Sequence, residues 1–117
     1  MTETTDADWD LSVGVNMLAP FRISRAAIPP LAARGGGAIV NTASSWGLRP
    51  RSQPSFYCMT KAAIASLTQC MSLDHAHQKI RINAVCPNEV STPMLRPGFI
   101  KARSGPSTVD PWRNRLP

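Results

Sequence analysis

The sequence predicts an α/β fold with a short parallel sheet, and two observations support this. Residues 38–43 and 80–86 are short apolar runs bounded by turn residues, which is typical of buried strands in a parallel sheet. Two longer segments, residues 9–33 and 54–76, are predicted to be helices that flank these strands. At 117 residues, the chain forms one small domain at most.

The first predicted helix is interrupted by a proline. Residues 1–8 are a polar start that offers Thr and Asp side chains as helix caps. The apolar residues that then recur at helical spacing are Trp9, Val13, Met17 and Phe21. Pro20 cannot donate a hydrogen bond to the carbonyl of Asn16, and its ring crowds that carbonyl. We favour a kink that leaves the Asn16 carbonyl without its helical partner; alternatively, Pro20 ends one helix and Asn16 caps the next.

Glycines and serines lie on either side of the first predicted strand. Three consecutive glycines, residues 35–37, indicate a helix stop and a turn before it. Ser44 and Ser45 follow it at the carboxyl end, which is where open α/β sheets bind their ligands. Residues 47–53 are predicted to be a loop rich in Arg, Pro and Ser.

The second helix places Tyr57 and Lys61 on one face, because residues four apart in a helix lie side by side. A free tyrosine titrates at about 10 and is a poor acid–base catalyst at neutral pH. A neighbouring positive charge favours the phenolate and brings such a side chain nearer to the working range. The second strand follows, and Pro87 ends it. Residues 88–99 are predicted to be a loop, and residues 100–117 a disordered tail rich in Pro and Arg.

Five segments, in the correct order, resemble the sequence blocks of the short-chain dehydrogenase/reductase family. They are VNMLAPF (Val15–Phe21), GGGAIVNTASS (Gly35–Ser45), YCMTKAA (Tyr57–Ala63), KIRINAVCP (Lys79–Pro87) and PNEVSTPM (Pro87–Met94). The resemblance implies that residues 9–99 are the catalytic portion of a partial Rossmann-like fold, a doubly wound parallel sheet. This part would lack the N-terminal half that binds the dinucleotide phosphate, and the last strand. No glycine-rich turn follows a strand near the N-terminus, as a phosphate-binding element would.

The resemblance also implies a catalytic set, Asn16, Ser44, Tyr57 and Lys61. Ser44 is selected over Ser45 because it lies thirteen positions before Tyr57 and directly after the strand. Its hydroxyl would donate to a substrate oxygen. Tyr57 would be the acid in carbonyl reduction and the base in alcohol oxidation, and the Asn16 carbonyl would hold a water of the proton relay. Taken alone, Ser44 could simply end a strand by bonding to its own loop, and the Tyr–Lys face could lie at the surface.

The cofactor implied by the resemblance is NAD or NADP. The residues that would contact it are Tyr57, Lys61, Pro87, Asn88, Val90 and Thr92. Lys61 would hold the ribose hydroxyls, whereas Val90 through its backbone and Thr92 through its hydroxyl would contact the nicotinamide carboxamide. Asn88 stands where the family usually has glycine. Asparagine tolerates a left-handed backbone best among the other residues, so the turn can be kept.

The implied substrate is a small-molecule carbonyl or secondary alcohol, which exchanges hydride with the nicotinamide. Trp46 and Met94 would flank its pocket, although apolar packing explains both residues equally well. The two long helices would pair in a homo-oligomer, as they do in dimers of the family. The rival interpretation is a non-catalytic fragment that oligomerises through these helices and binds no cofactor.

Charge and composition bear on other classes of function. The net charge is +6, but the arginines are scattered and form no basic helix face, so we do not predict nucleic-acid binding. Cys58, Cys70 and Cys86 lack C-x-x-C spacing, which favours buried thiols in a reducing cytosol over disulfides or a zinc site. His75 and His77 lie two apart in a helix and cannot share a metal. No apolar run approaches the length of a membrane span, and we expect a cytoplasmic location.

Overall fold

The computed structural model of the protein describes residues 2–50, 55–88 and 90. In chain order, its elements are helix α1 (Asp6–Val13), a π-helical stretch (Gly14–Leu18), helix α2 (Ala19–Ala33), strand β1 (Gly37–Thr42), helix α3 (Ser45–Leu48), helix α4 (Ser55–His75), a 3-10 turn (Ala76–Gln78) and strand β2 (Ile80–Val85). The α/β class, both strands and both long helical segments are confirmed. The predictions for Thr92, Met94 and residues 100–117 lie outside the described residues.

Helix α1 begins earlier than the apolar pattern indicates, because a capping box starts it at Asp6. The Thr5 hydroxyl accepts a hydrogen bond from the Asp8 N–H at 3.2 Å, and the Asp8 carboxylate accepts one from the Thr5 N–H at 3.2 Å. These bonds satisfy two backbone donors that would otherwise be left unpaired at the helix start. Carboxylates in the first turn also favour the helix through its dipole. Residues 6–8, which were predicted to belong to the polar start, are therefore part of α1.

The helix in which we predicted a kink at Pro20 contains a π-helical stretch, Gly14–Leu18. In a π-helix the backbone N–H groups donate five residues back instead of four. Pro20 itself lies in the first turn of α2, where a missing N–H is tolerated. Asn16 is not a cap, since Leu18 is the N-cap residue of α2 and the Asn16 amide donates to Oγ of Ser12 at 3.4 Å. The alternative in which Asn16 caps a new helix is therefore wrong.

Two glycines end α2, as predicted. The N–H of Gly36 donates to the Leu31 carbonyl at 2.9 Å, and the N–H of Gly35 donates to the Ala32 carbonyl at 3.0 Å, which are the two bonds of a Schellman motif. Both glycines have positive φ angles, 90° at Gly35 and 131° at Gly36. A Cβ at Gly36 would lie 2.6 Å from the carbonyl oxygen of Lys79. The turn thus needs glycine both for its backbone angles and for its approach to the residue before β2.

Strands β1 and β2 are parallel neighbours, paired in register from Gly37 with Ile80 to Thr42 with Val85. Helices α2 and α4 pack against one face of this pair. The core consists of Met71, Ile80 and Ile82, with Ile28, Leu31, Ala32, Ile39 and Leu67 packed around it. The opposite face carries exposed side chains, among them Val40, which is 63% exposed. Both strands end at the same edge of the sheet, where the candidate site lies.

Candidate active site

The segments that follow β1 and β2 meet at the carboxyl edge of the sheet. The parallel ladder continues past the strands, because the Ala43 N–H donates to the Val85 carbonyl at 2.9 Å and the Ser45 N–H donates to the Pro87 carbonyl at 3.0 Å. Ser44 lies between these two donors. The structure therefore brings the serine predicted after β1 next to the segment predicted to bind the cofactor after β2.

Ser44 is buried, with 7% of its surface exposed, and its side chain caps α3. Its Oγ accepts a hydrogen bond from the Trp46 N–H at 3.2 Å. Because this bond uses a lone pair of the oxygen, the hydroxyl hydrogen is left to donate to a ligand. The loop predicted over residues 47–53 is corrected at its start, since Gly47 and Leu48 belong to the single turn of α3. That turn forms because Ser44 satisfies one of its unpaired N–H groups.

Gly47 brings α3 against the backbone of α4. A Cβ at this position would lie 2.6 Å from the carbonyl carbon of Lys61, 2.8 Å from the Lys61 oxygen and 2.7 Å from the nitrogen of Ala62. Any side chain here would force the two helices apart, so the contact depends on glycine. The sequence offered only the glycine itself as a signal of this approach. The contact sets the position of the Ser44 turn relative to Lys61.

Tyr57 and Lys61 lie in the first two turns of α4, and Nζ of Lys61 is 5.7 Å from the centre of the Tyr57 ring. The ammonium also donates to the carbonyl of Thr42, the last residue of β1, at 3.0 Å. Partial burial lowers the pKa of the Lys61 ammonium from its ordinary value. The lysine thus lies beside the tyrosine ring and is attached to the carboxyl edge of the sheet.

Trp46 and Thr60 both contact Tyr57. The ring centres of Trp46 and Tyr57 are 6.1 Å apart with the planes at 86°, which is an edge-to-face contact. The hydroxyl of the fully buried Thr60 donates to the Tyr57 carbonyl at 2.9 Å. For Trp46 the sequence left a pocket wall and apolar packing open, and the ring contact supports packing against Tyr57. This contact also joins the Ser44 turn to the beginning of α4.

Asn88 does not have the backbone expected of it. Among the residues that the structure describes, Lys79 is the non-glycine residue with a left-handed φ, 59°, so Asn88 does not take the glycine-like conformation. Its side chain makes a contact instead, because its Oδ1 accepts a hydrogen bond from the Ser45 hydroxyl at 3.1 Å. Nothing in the sequence indicated this contact, since the two residues are 43 positions apart. Val90 is exposed.

The Lys61 ammonium fits the ribose hydroxyls of a dinucleotide. The Lys61 ammonium has three N–H donors, of which the Thr42 carbonyl accepts one, and ribose hydroxyls can accept the others. Within the described part of the chain, the glycines with positive φ are Gly35 and Gly36, which lie between a helix and the strand that follows it. A phosphate-binding turn lies in the opposite order, between a strand and a helix. The described residues therefore offer a donor for ribose hydroxyls, and these two glycines do not form a phosphate-binding turn.

Neither a metal-binding cluster nor a membrane-spanning helix is found among the residues that the structure describes. No group of three or more His, Cys, Asp or Glu side chains could hold a metal ion in residues 2–50, 55–88 and 90. No helix within these ranges is long and apolar enough to cross a membrane. All three cysteines are free thiols, and Cys58 is buried as expected, whereas Cys86 is half-buried and Cys70 is exposed. The expectation of a buried thiol is therefore wrong for Cys70, which lies on the solvent side of α4.

The relatives found by sequence comparison include several oxidoreductases. The family profile described as short chain dehydrogenase matches residues 1–101. An uncharacterized oxidoreductase of Thermotoga maritima is 36% identical over 107 residues, which are 92% of this chain and 42% of that protein. The meso-2,3-butanediol dehydrogenase of Serratia marcescens is 41% identical over 92 residues, which are 79% of this chain and 36% of that protein. The chain thus spans less than half the length of these relatives.

Comparison with solved structures agrees with the sequence relatives. The 3-ketoacyl-(acyl-carrier-protein) reductase from Brucella melitensis, complexed with NADH, superposes with a TM-score of 0.77 at 30% identity. The match covers 80% of this chain and 40% of that one, which confirms the partial Rossmann-like fold. On the family profile, the relatives and this shared fold, the chain belongs to the short-chain dehydrogenase/reductase family.

Proposed function

We propose that this chain carries the catalytic portion of an oxidoreductase that transfers hydride between the nicotinamide of NAD or NADP and a small carbonyl or secondary alcohol. The observation that carries the proposal is the position of Lys61, whose ammonium lies 5.7 Å from the Tyr57 ring centre and hydrogen-bonds to the end of β1. This geometry puts a charged N–H donor beside the phenol that would transfer the proton. The buried Ser44 lies at the same edge of the sheet.

The three side chains have separate roles in this proposal. Ser44 donates its hydroxyl hydrogen to the substrate oxygen, because its own oxygen already accepts from the Trp46 N–H. Tyr57 donates a proton to the substrate oxygen as a carbonyl becomes an alcohol, and removes that proton in the reverse direction. Lys61 holds its ammonium beside the Tyr57 ring and binds the ribose hydroxyls. The nicotinamide, when bound, supplies or accepts the hydride.

The other predicted residues complete the site. Asn16 orients a water of the proton relay through its carbonyl, from a π-helical stretch that packs against α4. Pro87, Asn88 and Val90 line the nicotinamide side after β2, and the family resemblance adds Thr92, which lies outside the described residues. Support for these roles comes from the family resemblance and from the carboxyl edge of the sheet, where open α/β sheets bind their ligands.

The names of the relatives suggest a class of substrate. Besides the butanediol dehydrogenase, they include a D-beta-hydroxybutyrate dehydrogenase of Rhizobium meliloti and an L-xylulose reductase of Bos taurus. The three compounds named are small and polar, and each has a secondary alcohol or a ketone. We expect this protein to act on a molecule of that class.

The test uses two preparations. The first is the 117-residue chain by itself, for which we expect no turnover, and NAD(H) or NADP(H) binding no tighter than about millimolar, because the described residues offer no phosphate-binding turn. Calorimetry measures this affinity. Saturable micromolar binding would show that the chain holds the whole cofactor without such a turn.

The second preparation is a hybrid enzyme. Residues 2–90 replace the aligned segment of the Serratia dehydrogenase, whose remaining sequence supplies the rest of the fold. We expect the hybrid to oxidise meso-2,3-butanediol with NAD, followed by absorbance of the reduced nicotinamide. A hybrid that folds and binds NADH, but turns over none of the three compounds named above, contradicts the proposed function.

A second candidate function is association without catalysis. Large apolar side chains on the two long helices are exposed, among them Ile23 on α2 (68%) and Leu73 on α4 (80%). Exposed apolar surface of this kind is typical of an interface, so we propose a homo-oligomer through α2 and α4. A strictly monomeric chain in light scattering would contradict it.

We also propose a cytoplasmic location, because three free thiols favour a reducing compartment, and we propose no nucleic-acid partner.

A further inference from the structure

Ser45 is attached to the segment after β2 by two hydrogen bonds. Its backbone N–H donates to the Pro87 carbonyl at 3.0 Å, and its hydroxyl donates to Oδ1 of Asn88 at 3.1 Å. Ser45 directly follows the buried Ser44, and Asn88 lies two residues before Val90. The two bonds therefore join the turn that carries Ser44 to the segment proposed to face the nicotinamide.

The two bonds differ in what they require of the sequence. The backbone bond continues the parallel ladder, two positions beyond the bond from Ala43 to Val85, and is available to almost any residue. The side-chain bond needs a donor at position 45 and an acceptor at position 88. A glycine, which the family usually has where Asn88 stands, has no side chain to accept it. The second bond is thus specific to this pair of residues.

Ser45 also lies inside the turn that fixes the Ser44 hydroxyl. The Trp46 N–H donates to Oγ of Ser44 at 3.2 Å, so Ser45 separates the donor from the acceptor of that bond. A displacement of Ser45 therefore changes the direction of the Ser44 hydroxyl. We propose that Ser45 and Asn88 are positioning residues, whose hydrogen bond holds the Ser44 hydroxyl at a fixed place relative to residues 87–90. The role of this hydroxyl position in catalysis rests on the proposed function. The hydrogen bond between Ser45 and Asn88 does not depend on it.

Hydrogen exchange of the full chain, followed by NMR, tests the link without any activity. The amide of residue 45 reports on its bond to Pro87, and the amide of Trp46 reports on its bond to Oγ of Ser44. We expect Ser45→Ala and Asn88→Ala each to raise exchange at both amides about fivefold, the effect of losing one neutral hydrogen bond. The Gly37 amide, which bonds to Lys79 at the other end of the strands, should not change.

Three further variants make the result specific. Ser45→Ala combined with Asn88→Ala should raise exchange no further than either alone, because both remove the same bond. Asn88→Asp keeps an acceptor oxygen and should retain the protection. Ser72→Ala removes a hydroxyl that bonds to the Gln69 carbonyl on α4, and serves as the matched control with no effect at residues 45 and 46. Unchanged exchange in either single variant, or effects that multiply in the double, would overturn the proposal.

Turnover of the hybrid enzyme separates this inference from the proposed function. We expect Ser45→Ala to lower kcat about fivefold with little change in KM for the cofactor, Asn88→Ala to lower kcat to the same extent, and Asn88→Asp to restore it. If the double variant exchanges no faster than the single variants, but kcat is unchanged in Ser45→Ala and Asn88→Ala, the positioning role is contradicted. A wild-type hybrid that folds but is inactive, while the exchange effects are coupled, supports the link and contradicts the proposed function.

Discussion

The side-chain amide of Asn41 donates a hydrogen bond to the hydroxyl of Thr68 at 2.9 Å, and both side chains are buried. Thr68 donates in turn to the Ile64 carbonyl of its own helix at 2.8 Å. One residue further along β1, the Thr42 carbonyl accepts from the Lys61 ammonium. Helix α4 is therefore attached to β1 at two points, and both lie close to the carboxyl edge that carries the candidate site.

Replacement of Thr68 by valine removes the hydroxyl and keeps the shape of the side chain. We expect the free energy of unfolding to fall by about 1–3 kcal/mol, because the Asn41 amide is left buried without its acceptor. Urea unfolding followed by circular dichroism measures the change. Thr68→Ser keeps the hydroxyl and is the control, with a loss of about 1 kcal/mol for the missing methyl group. An unchanged free energy of unfolding in Thr68→Val would contradict the role assigned to this hydrogen bond.

Replacement of Tyr57 by phenylalanine keeps the ring and its contact with Trp46 but removes the proton donor. In the hybrid enzyme we expect kcat to fall by at least about a hundredfold. The affinity for the cofactor should change little, since the Lys61 ammonium is retained. Lys61→Ala is the comparison and should reduce both kcat and cofactor affinity. Near-normal turnover in the phenylalanine variant would contradict the role of Tyr57, and a loss of kcat alone at Lys61 would contradict its contact with the ribose.

The burial of Lys61 predicts a pH dependence of stability. Its pKa in the folded chain is lowered from the ordinary value of 10.5, so between the two values the unfolded chain binds more protons than the folded chain. The burial cost is present in full below this window and disappears as the pH rises through it. We expect the free energy of unfolding of the wild type, minus that of Lys61→Met, to rise as the pH approaches 10.5. Urea unfolding at a series of pH values measures the difference. A difference that falls with pH would contradict the lowered pKa.

Replacement of Gly47 by alanine should separate α3 from α4. The added Cβ would lie within 2.8 Å of three backbone atoms of Lys61 and Ala62, which cannot move aside as a side chain can. We expect unfolding to become easier by about 1–3 kcal/mol, as for other overpacked sites, and the Trp46 amide to exchange faster. Gly14→Ala is the matched control, because a Cβ there meets no atom within 4 Å and its φ is −57°. Equal effects of the two substitutions would contradict the role assigned to the Gly47 contact.

Patterns between near neighbours predicted the helices and strands closely. The bounds of β1, β2 and α4 differ from the prediction by at most one residue, because apolar runs and turn residues act over a few positions. The two glycines that end α2 were predicted for the same reason. Pro20 was predicted to kink the helix, since its missing N–H is a local property, and the structure shows a discontinuity just before it. The form of that discontinuity, a π-helical stretch rather than a new capped helix, was not predicted.

The sequence by itself determined the α/β class, the helical face shared by Tyr57 and Lys61, and the position of Ser44 at the end of a strand. Only the tertiary structure decided which distant groups meet there. Asn41 and Thr68 are 27 positions apart, and Ser45 and Asn88 are 43 apart. A hydrogen bond between such residues depends on the packing of a strand against a helix, or of one strand end against another. No short-range periodicity specifies that packing, because it results from burial of the shared core as a whole.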